Sequence, residues 1–249
     1  MNRLQESSAR RVAMLPETLL LWDIDKTLLT TAGVSREVYA LAFEALTGRI
    51  SRVTAVTAGR TEYQIMKDLF LRNAIGVDVL DSAPDLDGVL AESLNRKTAE
   101  LARRGAALPG ARRLLKELAE VPAVVQSVLT GNVRANAATK LATFGLDPWL
   151  DLSVGAYGSD GRARWELVGL ARERARRKYG ITFDAESTIL VGDTPRDVEA
   201  ARVGGAKVIG VATGASSVDA LSDAGADRAV ENLADAEGFL AALVDLRLR

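Results

Sequence analysis

The chain has 249 residues, 48% of them hydrophobic and 26% charged, which is enough apolar material for one large domain or for a core domain with a smaller second one. The formal net charge is -1, so no long-range field favours nucleic acid or an anionic membrane as a partner. The absence of cysteine and histidine excludes disulfides, thiolate or histidine metal sites, and catalysis by cysteine or by a serine–histidine pair. Any chemistry must therefore use carboxylates, hydroxyls, amines, backbone amides or a bound ion, and the lack of cysteine fits a reducing cytoplasm.

Short apolar runs rich in β-branched residues, bounded by Gly, Pro, Asp or Asn, predict buried parallel strands. They are Thr18–Trp22, Ala123–Leu129, Ser187–Val191 and Lys207–Val211, with a weaker candidate at Leu152–Val154. Segments with helical periodicity lie between and after these strands, at Arg134–Phe144, Trp165–Tyr179, Pro195–Gly204, Val218–Ala224 and Ala234–Leu246. The alternation of strand and helix predicts an α/β fold with an open, doubly wound parallel sheet.

The segment from residue 31 to residue 108 has a different pattern. Arg36–Leu46, Glu62–Leu71 and Asp85–Arg104 have helical periodicity, and no convincing strand separates them. Thr61 and Gln64 have the spacing of a capping box at the start of the second of these helices. We therefore predict a helical cap at residues 31–108, inserted into a core domain formed by residues 1–30 and 109–249.

Neither the first residues of the chain nor its apolar runs indicate a membrane segment. Residues 1–16 carry arginine and glutamate but no sustained apolar stretch, so they do not have the pattern of a signal peptide. No run approaches the ~20 apolar residues that a membrane helix needs. We therefore expect no membrane partner.

Polar residues follow three of the predicted strands at the point where each strand ends. The first strand is followed by Asp23 and Asp25, whose i, i+2 spacing places both side chains on one side of an extended chain. The second is followed by Thr130-Gly131-Asn132, which offers a hydroxyl and backbone amides at a helix start. The third is followed by Gly192-Asp193. Because open α/β sheets bind ligands at the carboxyl ends of their strands, these residues predict one shared site.

The aspartates of this predicted site indicate a hard cation. Asp23, Asp193 and Asp197 together would repel a phosphate unless a cation lay among them, and an all-oxygen site with few protein ligands suits Mg²⁺. Asp197 has a second interpretation, because Thr194-Pro195-Arg196-Asp197 also has the pattern of a capped helix start. Asn132 likewise is either a helix N-cap or a substrate contact.

With these motifs in this order, the sequence from about Leu19 to Val211 resembles the haloacid dehalogenase superfamily. It is most similar to phosphatases with a helical cap after the first strand, the phosphoglycolate phosphatase-like branch. The resemblance implies a Rossmann-like core, Asp23 as the nucleophile that accepts the phosphoryl group, and Asp25 as the acid and base. It also implies that Thr130 binds phosphoryl oxygens and that Mg²⁺ is held by Asp193, by Asp23 and by the main-chain carbonyl of Asp25. The predicted substrate-binding residues are Thr27, Thr130, Gly131 and Asn132.

The sequence departs from the family pattern at two positions. Many relatives have glycine where this chain has Lys26, and the family places a lysine before the helix that follows the third strand, where it steadies the phosphoryl charge. The corresponding segment here contains Arg162 and Arg164 but no lysine. We predict that Arg164 takes this role, with Arg162 second. Lys140 is the nearest lysine in sequence, but it lies about two turns into its helix, roughly 10 Å along the axis.

The resemblance predicts a Mg²⁺-dependent phosphatase that acts on a small-molecule phosphate ester. The presence of aspartate at position 25 favours phosphate chemistry over dehalogenation. Two alternatives remain open, a phosphomutase of the same superfamily and a non-catalytic protein that binds a phosphate ligand. The basic run Arg172 to Lys178 is interpreted as a solvated helix face, against nucleic-acid binding. The sequence leaves the choice between monomer and homodimer open.

Overall fold

The computed structural model describes residues 15–81, 85–161 and 163–247. The predicted role of Arg162 therefore lies outside the described residues. The strands are β1 Thr18–Trp22, β2 Leu29–Thr30, β3 Ala106–Ala107, β4 Val124–Val128, β5 Thr188–Gly192, β6 Lys207–Val211 and β7 Arg228–Val230. The helices are α1 Val34–Thr47, α2 Glu62–Arg72, α3 Asp78–Asp81, α4 Leu86–Asn95, α5 Thr98–Arg104, α6 Ala111–Ala119, α7 Arg134–Thr143, α8 Glu166–Tyr179, α9 Pro195–Gly204, α10 Val218–Asp223 and α11 Ala236–Arg247.

Five parallel strands form the central sheet in the order β4-β1-β5-β6-β7. All five residues of β1 are buried, as expected for a strand covered on both faces. The strand register aligns the carboxyl ends of β1, β4 and β5, because Trp22 pairs with Val128 of β4 and with Val191 of β5. The residues that follow β1, β4 and β5 therefore meet at the same edge of the sheet.

Helices cover both faces of this sheet, which confirms the predicted doubly wound α/β core. Alternate residues of β1 point to opposite faces, so that Leu20 and Trp22 pack in one core cluster and Leu19 and Leu21 in the other. The first cluster takes its helical residues from α6, α7 and α11, and the second takes them from α8, α9 and α10. These layers fix the strand ends at which the polar residues gather.

Helices α1 to α5 lie between β2 and β3, which pair antiparallel with each other where the chain leaves the core and returns. The predicted capping box is present, since the Thr61 hydroxyl accepts from the Gln64 amide and the Gln64 side chain accepts from the Thr61 amide. The boundaries of the cap at residues 31 and 108 stay a prediction.

The expectation of a single helix over Asp85–Arg104 was wrong. The segment forms α4 and α5, separated at Arg96 and Lys97. The carbonyl of Leu94 accepts from the amide of Lys97 and from the hydroxyl of Thr98, which tightens the turn and ends the first helix. Leu94 and Leu101 still pack together against α1.

The prediction of a weak strand at Leu152–Val154 was also wrong. These residues form a turn after a 3-10 helix at Asp147–Trp149. A single bridge between Leu129 and Ala156 takes its place. Strand β7 and helix α6 were not predicted. Strand β7 has only three half-buried residues, too few to show the pattern of a buried strand.

The arginines of the basic run on α8 form hydrogen bonds and ion pairs with other residues of the chain. Arg172 donates to the Thr188 hydroxyl, and Arg174 pairs with Asp160. Arg176 and Arg177 are exposed and both pair with Glu173, as expected of a solvated helix face, whereas the half-buried Arg172 and Arg174 do not fit that interpretation. No helix in the described ranges combines the length and the apolar character that crossing a membrane requires.

Candidate active site

A cavity of about 530 Å³ opens at the carboxyl end of the sheet, between the core and the helices of the cap. Asp23, Asp25, Thr130, Asn132 and Asp193 all line it, as the sequence predicted. They reach it because β1, β4 and β5 are neighbours in the sheet. The structure therefore brings the three polar strand ends together in one place.

Three buried carboxylates form a cluster at this cavity, which two of them, Asp23 and Asp193, line directly. Asp23, Asp193 and Asp197 each offer an oxygen within 4.8 Å of the others, and all three side chains are buried. Burial raises the pKa of Asp23 above its ordinary value, with Asp197 and Asp25 adding to the rise. Burial and the charges of Asp197 and Asp23 raise the pKa of Asp193 in the same way. The cluster is thus short of positive charge, as a cation site of hard oxygen ligands would be.

Arg164 supplies one positive charge to the cluster. Its Nη2 donates to Oδ1 of Asp23 at 2.6 Å and lies 2.7 Å from Oδ1 of Asp197. Although burial alone would lower its pKa, Asp197 and Asp23 raise the pKa of Arg164 above its ordinary value, so the guanidinium stays charged. One arginine beside three carboxylates leaves an excess of two negative charges when all are ionised. A divalent cation would balance that excess.

Asp197 accepts hydrogen bonds through one of its two oxygens. Its Oδ2 accepts from the amide and the hydroxyl of Thr194, at 3.0 and 2.6 Å, and completes the capping box at the start of α9. Its Oδ1 lies 2.7 Å from Nη2 of Arg164 but is a buried atom that accepts no hydrogen bond from any described residue. The capping interpretation of Asp197 is therefore confirmed, while its role toward a metal ion stays a prediction.

Asp25 and Lys140 form an ion pair that the sequence analysis did not anticipate. Nζ of Lys140 lies 2.7 Å from Oδ2 of Asp25 and donates to Oδ1 of Asn132 at 2.6 Å. The expectation that Lys140 lies too far along its helix was wrong, because it counted only rise along the axis. Side chains on a helix lean toward its amino terminus, and the long lysine stem carries the ammonium back to the strand end.

The side chain of Asn132 does not cap helix α7. Val133 is the N-cap residue of that helix, and no side chain bonds to the helix amides there. Nδ2 of Asn132 instead donates to Oδ2 of Asp25 at 2.8 Å and to Oγ1 of Thr130 at 2.7 Å. The capping interpretation of Asn132 was therefore wrong, and its side chain belongs to the polar wall of the cavity.

The remaining predicted site residues take different positions. Oγ1 of Thr130 is buried and lines the cavity. Thr27 is buried and donates to Oδ1 of Asp193 at 3.4 Å, but it is not among the described residues that line the cavity. Lys26 has a left-handed φ of 72°, a backbone conformation that glycine adopts without strain. A glycine at position 26 would therefore fit the same backbone.

Gly131 lies where the cap touches the core. Its carbonyl accepts from the amide of Glu62 at 2.8 Å, and a Cβ at position 131 would come within 2.2 Å of the Arg60 carbonyl oxygen. Any side chain here would push the start of α2 away from the core. Gly131 therefore permits close approach of the two parts of the chain.

Glu62 is a buried carboxylate that fastens the cap to helix α7. It accepts from the amide of Val133 at 2.9 Å, from Nδ2 of Asn136 at 3.1 Å and from the hydroxyl of Tyr39 at 3.1 Å. Burial raises the pKa of Glu62, and the charge of Lys140 opposes that rise. The sequence showed Glu62 only as an acidic residue in the first turn of α2, a common position for glutamate.

The cap wall of the cavity is basic and apolar. Arg36 and Arg60 line it together with Val56 and Ile65, and no acidic residue of the cap is among the described lining residues. Arg60 also pairs with Asp68 at 3.5 Å. The organic part of a bound ligand would therefore meet positive charge.

Comparison with known proteins identifies the family. The model of the haloacid dehalogenase-like hydrolases matches residues 20–202. The chain belongs to the haloacid dehalogenase-like hydrolase family. This match covers most of the chain and includes every predicted catalytic and metal residue. The chain is accordingly a hydrolase by family, as the sequence motifs predicted. No match was found among curated protein sequences.

Solved structures share the fold of this haloacid dehalogenase-like hydrolase. A hydrolase from Pseudomonas syringae has a TM-score of 0.65 at 20% identity, covering 90% of this chain and 98% of that one. A predicted phosphatase from Clostridium acetobutylicum has a TM-score of 0.63 at 16% identity, covering 91% and 99%. A family IA, variant 3 hydrolase from Entamoeba histolytica has a TM-score of 0.64 at 17% identity, covering 94% and 100%.

Proposed function

We propose that this hydrolase is a Mg²⁺-dependent phosphatase that cleaves small phosphate monoesters through an aspartyl-phosphate on Asp23. The observation that supports the proposal most strongly is that Asp23, Asp25 and Thr130 line one cavity. Arg164 lines it too and donates a hydrogen bond to Asp23. A nucleophilic carboxylate, a second carboxylate for proton transfer and a cation for phosphoryl charge are what such a reaction requires.

Each residue has a separate task in the first half-reaction. An oxygen of Asp23 forms a bond to phosphorus while the bond from phosphorus to the ester oxygen breaks. The electron pair of that bond stays on the leaving oxygen, which takes a proton from Asp25. Arg164 and the hydroxyl of Thr130 offer hydrogen bonds to the phosphoryl oxygens, where charge accumulates.

The second half-reaction restores the enzyme. Asp25, now a carboxylate, accepts a proton from water as the water oxygen bonds to phosphorus. The bond from phosphorus to Asp23 breaks, and its electron pair returns to the Asp23 carboxylate. Inorganic phosphate leaves, and both aspartates are again in their starting states.

We propose that Asp23 and Asp193 hold the Mg²⁺ ion, with the main-chain carbonyl of Asp25. The charge of Asp197 pairs with Arg164, and its Oδ1, which accepts no hydrogen bond from a described residue, is the oxygen that Asp197 can offer to the ion. The assignment is supported by the three buried carboxylates of the cluster, whose negative charge exceeds the single positive charge of Arg164. When bound, the ion supplies charge neutralisation for the carboxylates and the phosphoryl group.

Binding of Mg²⁺ should depend on pH with a defined sign. The pKa values of Asp23 and Asp193 are raised from 3.8 to about 7 and about 8, so their contribution to stability is lost as the pH rises through those values. Mg²⁺ removes that loss, because it binds the ionised carboxylates. At saturating Mg²⁺ we expect the melting temperature to rise by about 5–10 °C near pH 8 and by much less near pH 5.

Thermal scans with and without Mg²⁺ across this pH range measure the effect. The Asp193→Asn variant should show a much smaller Mg²⁺ effect near pH 8, because it lacks one of the two carboxylates that hold the ion. The Asp219→Asn variant is the matched control, since Asp219 is exposed and is not among the residues that line the cavity. A rise in melting temperature that is the same at all pH values would contradict a Mg²⁺ site formed by these carboxylates.

The experiment that tests the proposed function is a screen of phosphate esters with and without Mg²⁺. We expect Mg²⁺-dependent release of inorganic phosphate, with the highest kcat/KM for esters whose organic part is anionic, because Arg36 and Arg60 line the cap wall. Sugar phosphates in the screen are also followed for isomerisation. Isomerisation without phosphate release would establish the phosphomutase alternative, and ligand binding without any turnover would establish the non-catalytic alternative.

A further inference from the structure

The proposed mechanism leaves Lys140 without a role, although this lysine is buried and bonds to two residues that line the cavity. The residue is 1% exposed, on the face of α7 that also carries the buried residues Ala137 and Leu141. A lysine ammonium is rarely buried unless it is paired, because removal of its hydration is costly. Its two described hydrogen-bond acceptors are Asp25 and Asn132, both residues of the cavity.

Lys140 and Asn132 converge on one oxygen of Asp25. Oδ2 of Asp25 accepts from Nζ of Lys140 at 2.7 Å and from Nδ2 of Asn132 at 2.8 Å, while Lys140 also donates to Oδ1 of Asn132. These three bonds close a triangle of side chains. Oδ1 of Asp25 is buried and has no hydrogen-bond partner among the described residues. The rotation of the Asp25 carboxylate is thus set by contacts to Oδ2 alone.

The helix that carries Lys140 is bonded to the cap at its amino-terminal end. Glu62 accepts from the amide of Val133 and from the side chain of Asn136, at the amino-terminal end of α7. Lys140 is one turn further along the same helix. Ala137 and Leu141 pack the same helix into the core, so the core and Glu62 together hold Lys140 in position relative to Asp25.

We propose that Lys140 is the positioning residue of Asp25, which it holds through Oδ2 so that the carboxyl group meets the leaving oxygen of the ester. This inference rests on the proposed function, since it assigns a role within the same reaction. In the first half-reaction Asp25 gives its proton to the leaving oxygen as the bond from phosphorus to that oxygen breaks. The carboxylate that remains on Asp25 is then the group that Lys140 and Asn132 bind.

The need for this proton depends on the leaving group. An alkoxide leaves poorly unless it is protonated, whereas a p-nitrophenolate leaves as a stable anion and gains little from general acid catalysis. The ratio of kcat/KM for an alkyl ester to kcat/KM for p-nitrophenyl phosphate therefore reports how well Asp25 delivers its proton. Because both values scale with the fraction of folded enzyme, partial unfolding of a variant cancels in the ratio.

The test compares this ratio in the wild type and in Lys140→Met, using the best alkyl ester from the phosphate-ester screen. We expect the ratio to fall by about 100-fold, the size of a general acid contribution, with kcat/KM for p-nitrophenyl phosphate changed by less than about threefold. The matched control is Lys116→Met, an exposed lysine on helix α6 of the core, and it should leave the ratio unchanged. If Lys140→Met yields no folded protein, Asn132→Ala removes the other donor to Oδ2 and should lower the ratio in the same direction.

Equal losses with both esters, or an unchanged ratio in the folded variants, would overturn the role of Lys140 while leaving the phosphatase activity of the wild type standing. A wild-type protein that releases phosphate from neither ester would instead refute the proposed function.

Discussion

The Asp23→Asn variant is expected to release phosphate at least about 10⁴-fold more slowly than the wild type, because an amide cannot form the covalent intermediate. The chain contains no histidine or cysteine that could take over as nucleophile. The change is nearly isosteric, and the asparagine side chain introduced at this position still offers an oxygen to Arg164. The variant should therefore fold, and its loss should appear in kcat with every ester that the wild type accepts.

Steady-state phosphate release with saturating Mg²⁺ measures this effect, with circular dichroism to verify the fold. The exposed Asp219 provides the matched control, since Asp219→Asn removes the same charge outside the cavity and should keep wild-type activity. An Asp23→Asn variant with kcat within about tenfold of the wild type would be incompatible with Asp23 as the nucleophile.

Loss of Arg164 is expected to affect both activity and stability. The Arg164→Met variant should lower kcat/KM by about 10³-fold, since it removes a buried charge aimed at the position of the phosphoryl group. It also leaves Asp23 and Asp197 without their cation, which costs about 3–5 kcal/mol when one partner of a buried pair is removed. The melting temperature of the metal-free protein should then fall by roughly 10 °C.

Two further variants separate charge from structure at Arg164. Arg164→Lys keeps the positive charge but not the planar fork of the guanidinium, so both losses should be smaller than with methionine. Arg174→Met is the matched control on the neighbouring helix, because Arg174 pairs with Asp160 away from the cavity. Wild-type kcat/KM in Arg164→Met would show that Arg164 serves only the fold.

The sheet and the strand-end residues could be predicted because their signals are local. Four of the five strands of the central sheet are short apolar runs, and β1 and β6 begin and end where the sequence predicted. Parallel strands align their carboxyl ends. The location of Asp23, Thr130 and Asp193 at one edge of the sheet could therefore be predicted from the strands that precede them. The capping boxes of α2 and α9 are likewise patterns of four residues.

The contacts of Lys140 and Glu62 could not be predicted directly because they join residues far apart in the chain. Lys140 reaches Asp25 across 115 positions, and Glu62 reaches Val133 across 71. A signal for Lys140 did exist, since the lysine shares the helical face of Ala137 and Leu141 and therefore lies on the buried side of α7. For Glu62 there was none, because a first-turn glutamate needs no tertiary partner.

The most direct test of the account is a search for the phosphoryl group on Asp23 itself. The Asp25→Asn variant lacks the base that activates water, so the intermediate formed from p-nitrophenyl phosphate should accumulate in the presence of Mg²⁺. After acid quenching and digestion, mass spectrometry is predicted to find one phosphoryl group on the peptide that contains Asp23, at that residue. Release of p-nitrophenol with no phosphorylated peptide, or with the phosphoryl group on another residue, would contradict the proposed mechanism.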